Sequence, residues 1–242
     1  MYQTTNIYLS PDLKMSDIIL NNPYLMLLLE HFGIEVPLQE KSLQEICLEN
    51  DLNTELVLTF ANLYNGANNA SADLFSHKDV LAIVNYLQKS HRYYSEEIYP
   101  NILNTIRQMS LMNHHKEMVL VEKFFMDYMN EVTEHLNYEN EVVFPYARGL
   151  FEQLKNESPV FRKSTYAVSE YKEHHNDIEE KLDDLRNLLL KYLPQENDQV
   201  LRRKVLFSLY ELEYDLNIHS QIEDLILIPL VTSMEKQLKA TR

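Results

Sequence analysis

The segment VEKFFMDYMNEVTEHLNYENEVVFP, residues 121–145, decides the fold. Its apolar positions Val121, Phe125, Tyr128, Val132 and Val142 recur at steps that keep to one face of an α-helix, and His135 and Glu139 take two positions on that same face. Three other stretches repeat the pattern. Val80, Val84, Leu87, His91, Tyr94 and Ile98 form a stripe behind Ser76, the expected N-cap. Tyr171, His175, Ile178, Leu182, Leu185 and Leu189 form another in a helix starting at Ser158-Pro159, and Leu209, Leu212, Leu216, His219, Glu223 and Ile226 form the last, after Pro194. Four amphipathic helices with short connections predict an all-α chain whose main domain, residues 76–242, is an antiparallel four-helix bundle.

Upstream the segments are shorter. Asn22-Pro23 predicts a helix start, LMLLLEHF ends at Gly33, and Ser42 with Glu45 reads as a capping box. Residues 1–70 are expected to be a small helical N-terminal domain. The turn-rich stretch NGANNASADLF, 65–75, is the expected linker.

Composition narrows the function classes. The 242 residues include three glycines, at 33, 66 and 149, too far apart to build a phosphate-cradling turn of the G-x-G-x-x-G or Walker type. A single cysteine, Cys47, cannot form an intramolecular disulfide or hold an iron–sulfur cluster, so a bound metal must rely on nitrogen and oxygen. A net charge of −15 opposes binding to nucleic acid or anionic lipid. The first residues lack a signal-peptide pattern and the apolar runs are too short to span a bilayer, which predicts a soluble cytoplasmic protein without membrane attachment. There is no G-x-S-x-G elbow, and any turnover is expected to run through a metal.

Each of the four stripes carries a histidine where the register asks for an apolar residue. One such histidine is ordinarily a hydrogen-bonded core residue. Four of them, two accompanied by carboxylates, would cost several kcal/mol each to bury without a common partner. In His135-x-x-x-Glu139 and His219-x-x-x-Glu223 imidazole and carboxylate lie one turn apart on one face. The same spacing at His31/Glu35 straddles Gly33 and reads as chance; at His175/Glu179 it leaves Glu179 as an extra ligand or a surface residue. The tails HLNYENEVVFP and HSQIEDLILIP both place a proline ten residues after the histidine and look like a duplicated helix. Of His174 and His175, the stripe selects His175, with His174 turned about 100° away.

These pairs, with His91 and His175, resemble the haemerythrin-like di-iron bundle. The whole chain resembles the iron–sulfur cluster repair di-iron proteins, in which such a bundle follows a small N-terminal domain matched here by NNPYLMLLLEHFGIEV and KSLQEIC. That N-terminal domain usually carries two consecutive cysteines after its Gly-Ile segment. Pro37-Leu38 stands there instead, and Cys47, further on, reads as a core residue.

The expected metal ligands are therefore His91, His135, Glu139, His175, His219 and Glu223. If both glutamates bridge, these six side chains suit two iron ions joined by an oxo or hydroxo bridge, with positions open for oxygen, peroxide or nitric oxide; tetrahedral zinc would use them poorly. Tyr94, Tyr138 and Tyr171 stand three or four residues from a ligand, within reach of an orienting hydrogen bond, whereas His77, His114 and His115 read as solvated. The resemblance implies iron–sulfur cluster repair under oxidative or nitrosative stress, with iron–sulfur proteins as partners and a homodimer open as the assembly. The alternatives are an oxygen or nitric oxide sensor or carrier without turnover, and a metal-free helical interaction protein.

Overall fold

The computed structural model describes residues 8–67, 70–112, 116–156, 176–194 and 197–240, the side chains of 156 and 176–180 excepted. The described residues are helical, and extended pairing among them is limited to an isolated bridge between Lys14 and Ser42. No helix among them is long and apolar enough to cross a membrane. Four short helices come first: α1 (Met15–Asn21), α2 (Leu25–Phe32), α3 (Leu43–Glu49) and α4 (Thr54–Tyr64). Long helical stretches follow: α5 (Val80–Arg92) and α6 (Tyr99–Met112); α7 (Lys116–Tyr138) and α8 (Phe144–Asn156); α9 (Asn176–Asn187); α10 (Gln199–Ile222) and α11 (Ile228–Ala240).

The local signals act as their chemistry requires. Gly33 takes φ 79°, and the N–H of Ile34 reaches back to the Leu29 carbonyl at 2.8 Å, closing α2 with a left-handed cap that a side chain would strain. Ser42 and Glu45 exchange both capping-box bonds, as do Ser76 and Asp79 ahead of α5. Helix α2 begins two residues after Pro23, because the Asn22 side chain accepts from Tyr24 N–H in a tight first turn.

Prolines shape the long helices. A proline has no N–H to give and its ring crowds the carbonyl four residues back, so the preceding turn widens. The π-helical turns Tyr93–Ile98, Glu139–Val143, Leu188–Tyr192 and Glu223–Leu227 each end two residues before a proline: Pro100, Pro145, Pro194 and Pro229. In three of them the residue just before the proline donates to the carbonyl five back: Tyr99 to Tyr94, Leu193 to Leu188, and Ile228 to Glu223.

By compactness the described residues fall into two units, one within Met1–Ser90, Phe144–Val168 and Asn217–Arg242, the other within His91–Val143 and Ser169–Leu216. The expected linker at 65–75 thus lies inside the first unit. There Phe32, Phe60 and Tyr86 pack in tilted and edge-to-face pairs, with ring centroids 4.8–5.6 Å apart, and the Tyr64 and Tyr86 hydroxyls meet at 2.9 Å, tying α2 and α4 to α5. His31 is buried edge-on against Tyr86, the ordinary role of a core histidine. In the second unit α6 packs on α7 and α7 on α9, around a core of Tyr94, Ile102, Phe125, Tyr128, Leu185 and Leu212.

Candidate metal centre

His91 ends α5, His219 stands near the end of α10, and Glu139 and Glu223 each open a π-helical turn. One ligand atom from each of these four buried residues lies within 4.8 Å of the other three, so the set could hold a metal ion. Of the described residues on the expected stripes, His91, Tyr94, Glu139, His219 and Glu223 are buried with their apolar neighbours, and Val142 is half-buried.

Glu139 joins two imidazoles. Its Oε2 lies 3.3 Å from His91 Nε2 and its Oε1 lies 3.0 Å from His135 Nε2. Burial by itself raises the Glu139 pKa, but the hydrogen bonds and charges of His135 and His91 outweigh it and hold the carboxyl well below its ordinary value. The group is a buried carboxylate with a different oxygen turned to each ring. His135 keeps 14 % of its side chain exposed and stands outside the close set of four.

His219 shows which ring atom faces the centre. The Ser90 hydroxyl donates its one proton to the Leu87 carbonyl at 2.8 Å, so in its 2.9 Å contact with His219 Nδ1 the serine oxygen accepts. Nδ1 therefore carries a proton, and Nε2 turns toward Glu223 Oε1 at 3.4 Å. There Nε2 has two roles open to it: with a second proton it pairs with the carboxylate, and without one it offers its lone pair to a cation. Two imidazoles and two carboxylates are a nitrogen-and-oxygen donor set suited to a divalent transition metal. Ser90→Ala is expected to weaken metal binding about 10- to 100-fold, as loss of an imidazole-orienting partner does elsewhere, with the helical circular dichroism unchanged. An unchanged affinity in an anaerobic ferrous titration would show that the serine does not set the tautomer.

No family model, curated protein or solved structure matches the chain. The fold and the site therefore rest on its own residues.

His174, His175, Tyr171, His114 and His115, and the side chain of Glu179, lie outside the described residues. Tyr138 is 41 % exposed, while His77 is half-buried with its Nε2 3.3 Å from Ser233 Oγ. Two residues of the site's surroundings escaped the sequence reading: Ser90, next to a ligand, and Asp215, one turn before His219. Asp215 is 1 % exposed and accepts from the Tyr94 hydroxyl at 2.7 Å. Its place is readable from spacing, since 212, 215 and 219 fall on one helical face beside Leu216.

Cys47 is fully buried in α3, and burial pushes its thiol up to about 11 against the opposing hydrogen bond of Thr54. Iodoacetamide at about pH 8 is expected to leave the folded protein unlabelled and to modify it only after denaturation. Labelling of the native state at the rate of a free thiol would contradict this environment.

Proposed function

We propose that the chain is a haemerythrin-like di-iron protein, its long helices forming an antiparallel four-helix bundle, that acts in iron–sulfur cluster repair in the cytoplasm under oxidative or nitrosative stress. The ligands are His91, His135, Glu139, His175, His219 and Glu223. The observation that carries this reading is Glu139, buried and offering one oxygen to each of two imidazoles, as a bridging carboxylate must. Bound there, an iron pair supplies one-electron redox chemistry and binding of oxygen, peroxide or nitric oxide. Ser90 holds the His219 ring with Nε2 inward, and burial of Glu139 and Glu223 keeps water from competing for the ligand atoms. His175 enters this set from its sequence register alone.

Protein from anaerobic, iron-replete expression is expected to contain about two irons per chain and to show oxo-bridge absorption in the near ultraviolet after oxidation. Absence of bound iron would overturn the reading.

A second reading is favoured by the thiol chemistry. Pro37-Leu38 stands where repair proteins carry paired cysteines, and Cys47 is buried and protonated. The same centre would then serve as a reversible oxygen or nitric oxide sensor or carrier. Stopped-flow mixing of the ferrous protein with oxygen separates the two: a stable, reversible adduct supports sensing, and oxidation without one supports redox repair chemistry.

A further inference from the structure

Two tyrosines and two carboxylates form a ladder in the second unit. Tyr93 and Tyr94 are adjacent in the π-helical turn that follows His91, with ring centroids 5.7 Å apart. The Tyr94 hydroxyl donates to Asp215 at 2.7 Å and the Tyr93 hydroxyl to Glu211 at 2.6 Å, the two acceptors lying one turn apart on α10. Tyr94 and Asp215 are fully buried, whereas Tyr93 and Glu211 are half-buried. Tyr94 follows His91 by three residues and Asp215 precedes His219 by four, so the inner rung stands one helical turn from two of the proposed ligands. A packing role needs neither carboxylate: a buried tyrosine hydroxyl is satisfied by any carbonyl, and burying Asp215 is costly.

We propose that Tyr94 and Tyr93, with Asp215 and Glu211 as their proton acceptors, form a redox relay that conducts oxidising equivalents from the metal centre toward the surface. The inference rests on the di-iron reading and extends it. Oxidation of tyrosine makes its phenol a strong acid, so the step is accessible only where a base already holds the proton. With iron bound, the centre would supply an oxidising equivalent from peroxide; Tyr94 would give up one electron and pass its phenolic proton to Asp215, leaving a neutral tyrosyl radical. Tyr93 then gives one electron to Tyr94 and its own proton to Glu211, while Asp215 returns the proton it held. A one-electron donor in solution, such as ascorbate, reduces the Tyr93 radical, and Glu211 returns that proton. Two such passages supply the two electrons that, with two protons from solvent, convert one peroxide to two waters. The relay thereby keeps surplus oxidant from attacking the ligand histidines.

Iron content is measured first, and peroxide is then added to the iron-loaded protein before freezing for electron paramagnetic resonance. The wild type is expected to give a tyrosyl radical that Tyr94→Phe loses. Tyr93→Phe should keep a radical that outlasts ascorbate, and Asp215→Asn should lower the yield about a hundredfold, the scale of losing a positioned proton acceptor. A radical of equal yield in Tyr94→Phe, or none in iron-loaded wild type, overturns the relay and leaves the di-iron reading standing. A second arm needs no metal: photogenerated ruthenium(III) oxidises the metal-free protein in a Tyr146→Phe background, because the Tyr146 hydroxyl also donates to a carboxylate, Glu235 at 2.7 Å, and Tyr93 and Tyr94 should then hold the radical. A spectrum unchanged in the Tyr93→Phe/Tyr94→Phe double variant overturns the relay whether or not iron binds.

Discussion

Glu139→Ala is expected to leave iron-replete protein with less than about one iron per chain, against about two in the wild type. The same change should destabilise the metal-free protein by about 3–5 kcal/mol, the cost of breaking a buried ionic contact by removing one partner. Both effects have one origin. Glu139 is completely buried, and its two oxygens stand 3.3 and 3.0 Å from the His91 and His135 rings, so truncation removes the charge that both imidazoles face. Metal analysis reads the first effect and urea unfolding of the apo protein the second. A stability change below about 1 kcal/mol with iron content intact would show that Glu139 is neither bridge nor clamp.

The paired replacement His219→Leu/Glu223→Leu is expected to separate function from stability. Exchanging both members of a buried polar pair for leucine removes two desolvation costs together, and such changes are often neutral or stabilising by about 1–4 kcal/mol. Ser90 tolerates the change, since its proton already goes to the Leu87 carbonyl. Iron content should nevertheless be halved or lost, because His219 and Glu223 supply half of the close ligand set. A protein that gains stability while losing metal would mean that this pair is retained for chemistry rather than folding. Strong destabilisation of the apo form would contradict that and favour a purely structural polar core.

Much of this architecture was legible because helices write their buried face at a fixed period. Val80, Val84, Leu87, His91, Tyr94 and Ile98 are all buried as their spacing requires, and the capping signals at Ser42 and Ser76 stand where serine and a following acid placed them. His91, Glu139, His219 and Glu223 were legible for the same reason, as polar residues in apolar register. Interactions set by long-range geometry were not. Nothing in local sequence says that Ser90 meets His219, or that Tyr94 finds a carboxylate 121 residues away. The π-helical turns were written in the chain all along: the tail shared by the two His-x-x-x-Glu segments ends in a proline, and that proline widens the turn each glutamate opens.

The central claim is that two irons share one site, bridged through Glu139. A Mössbauer spectrum of the oxidised, iron-loaded protein tests it most directly. A quadrupole doublet from a spin-coupled ferric pair, with no magnetic splitting at low temperature in a weak field, is the predicted result. Magnetically split spectra of isolated ferric ions, or a single iron per chain, would contradict it.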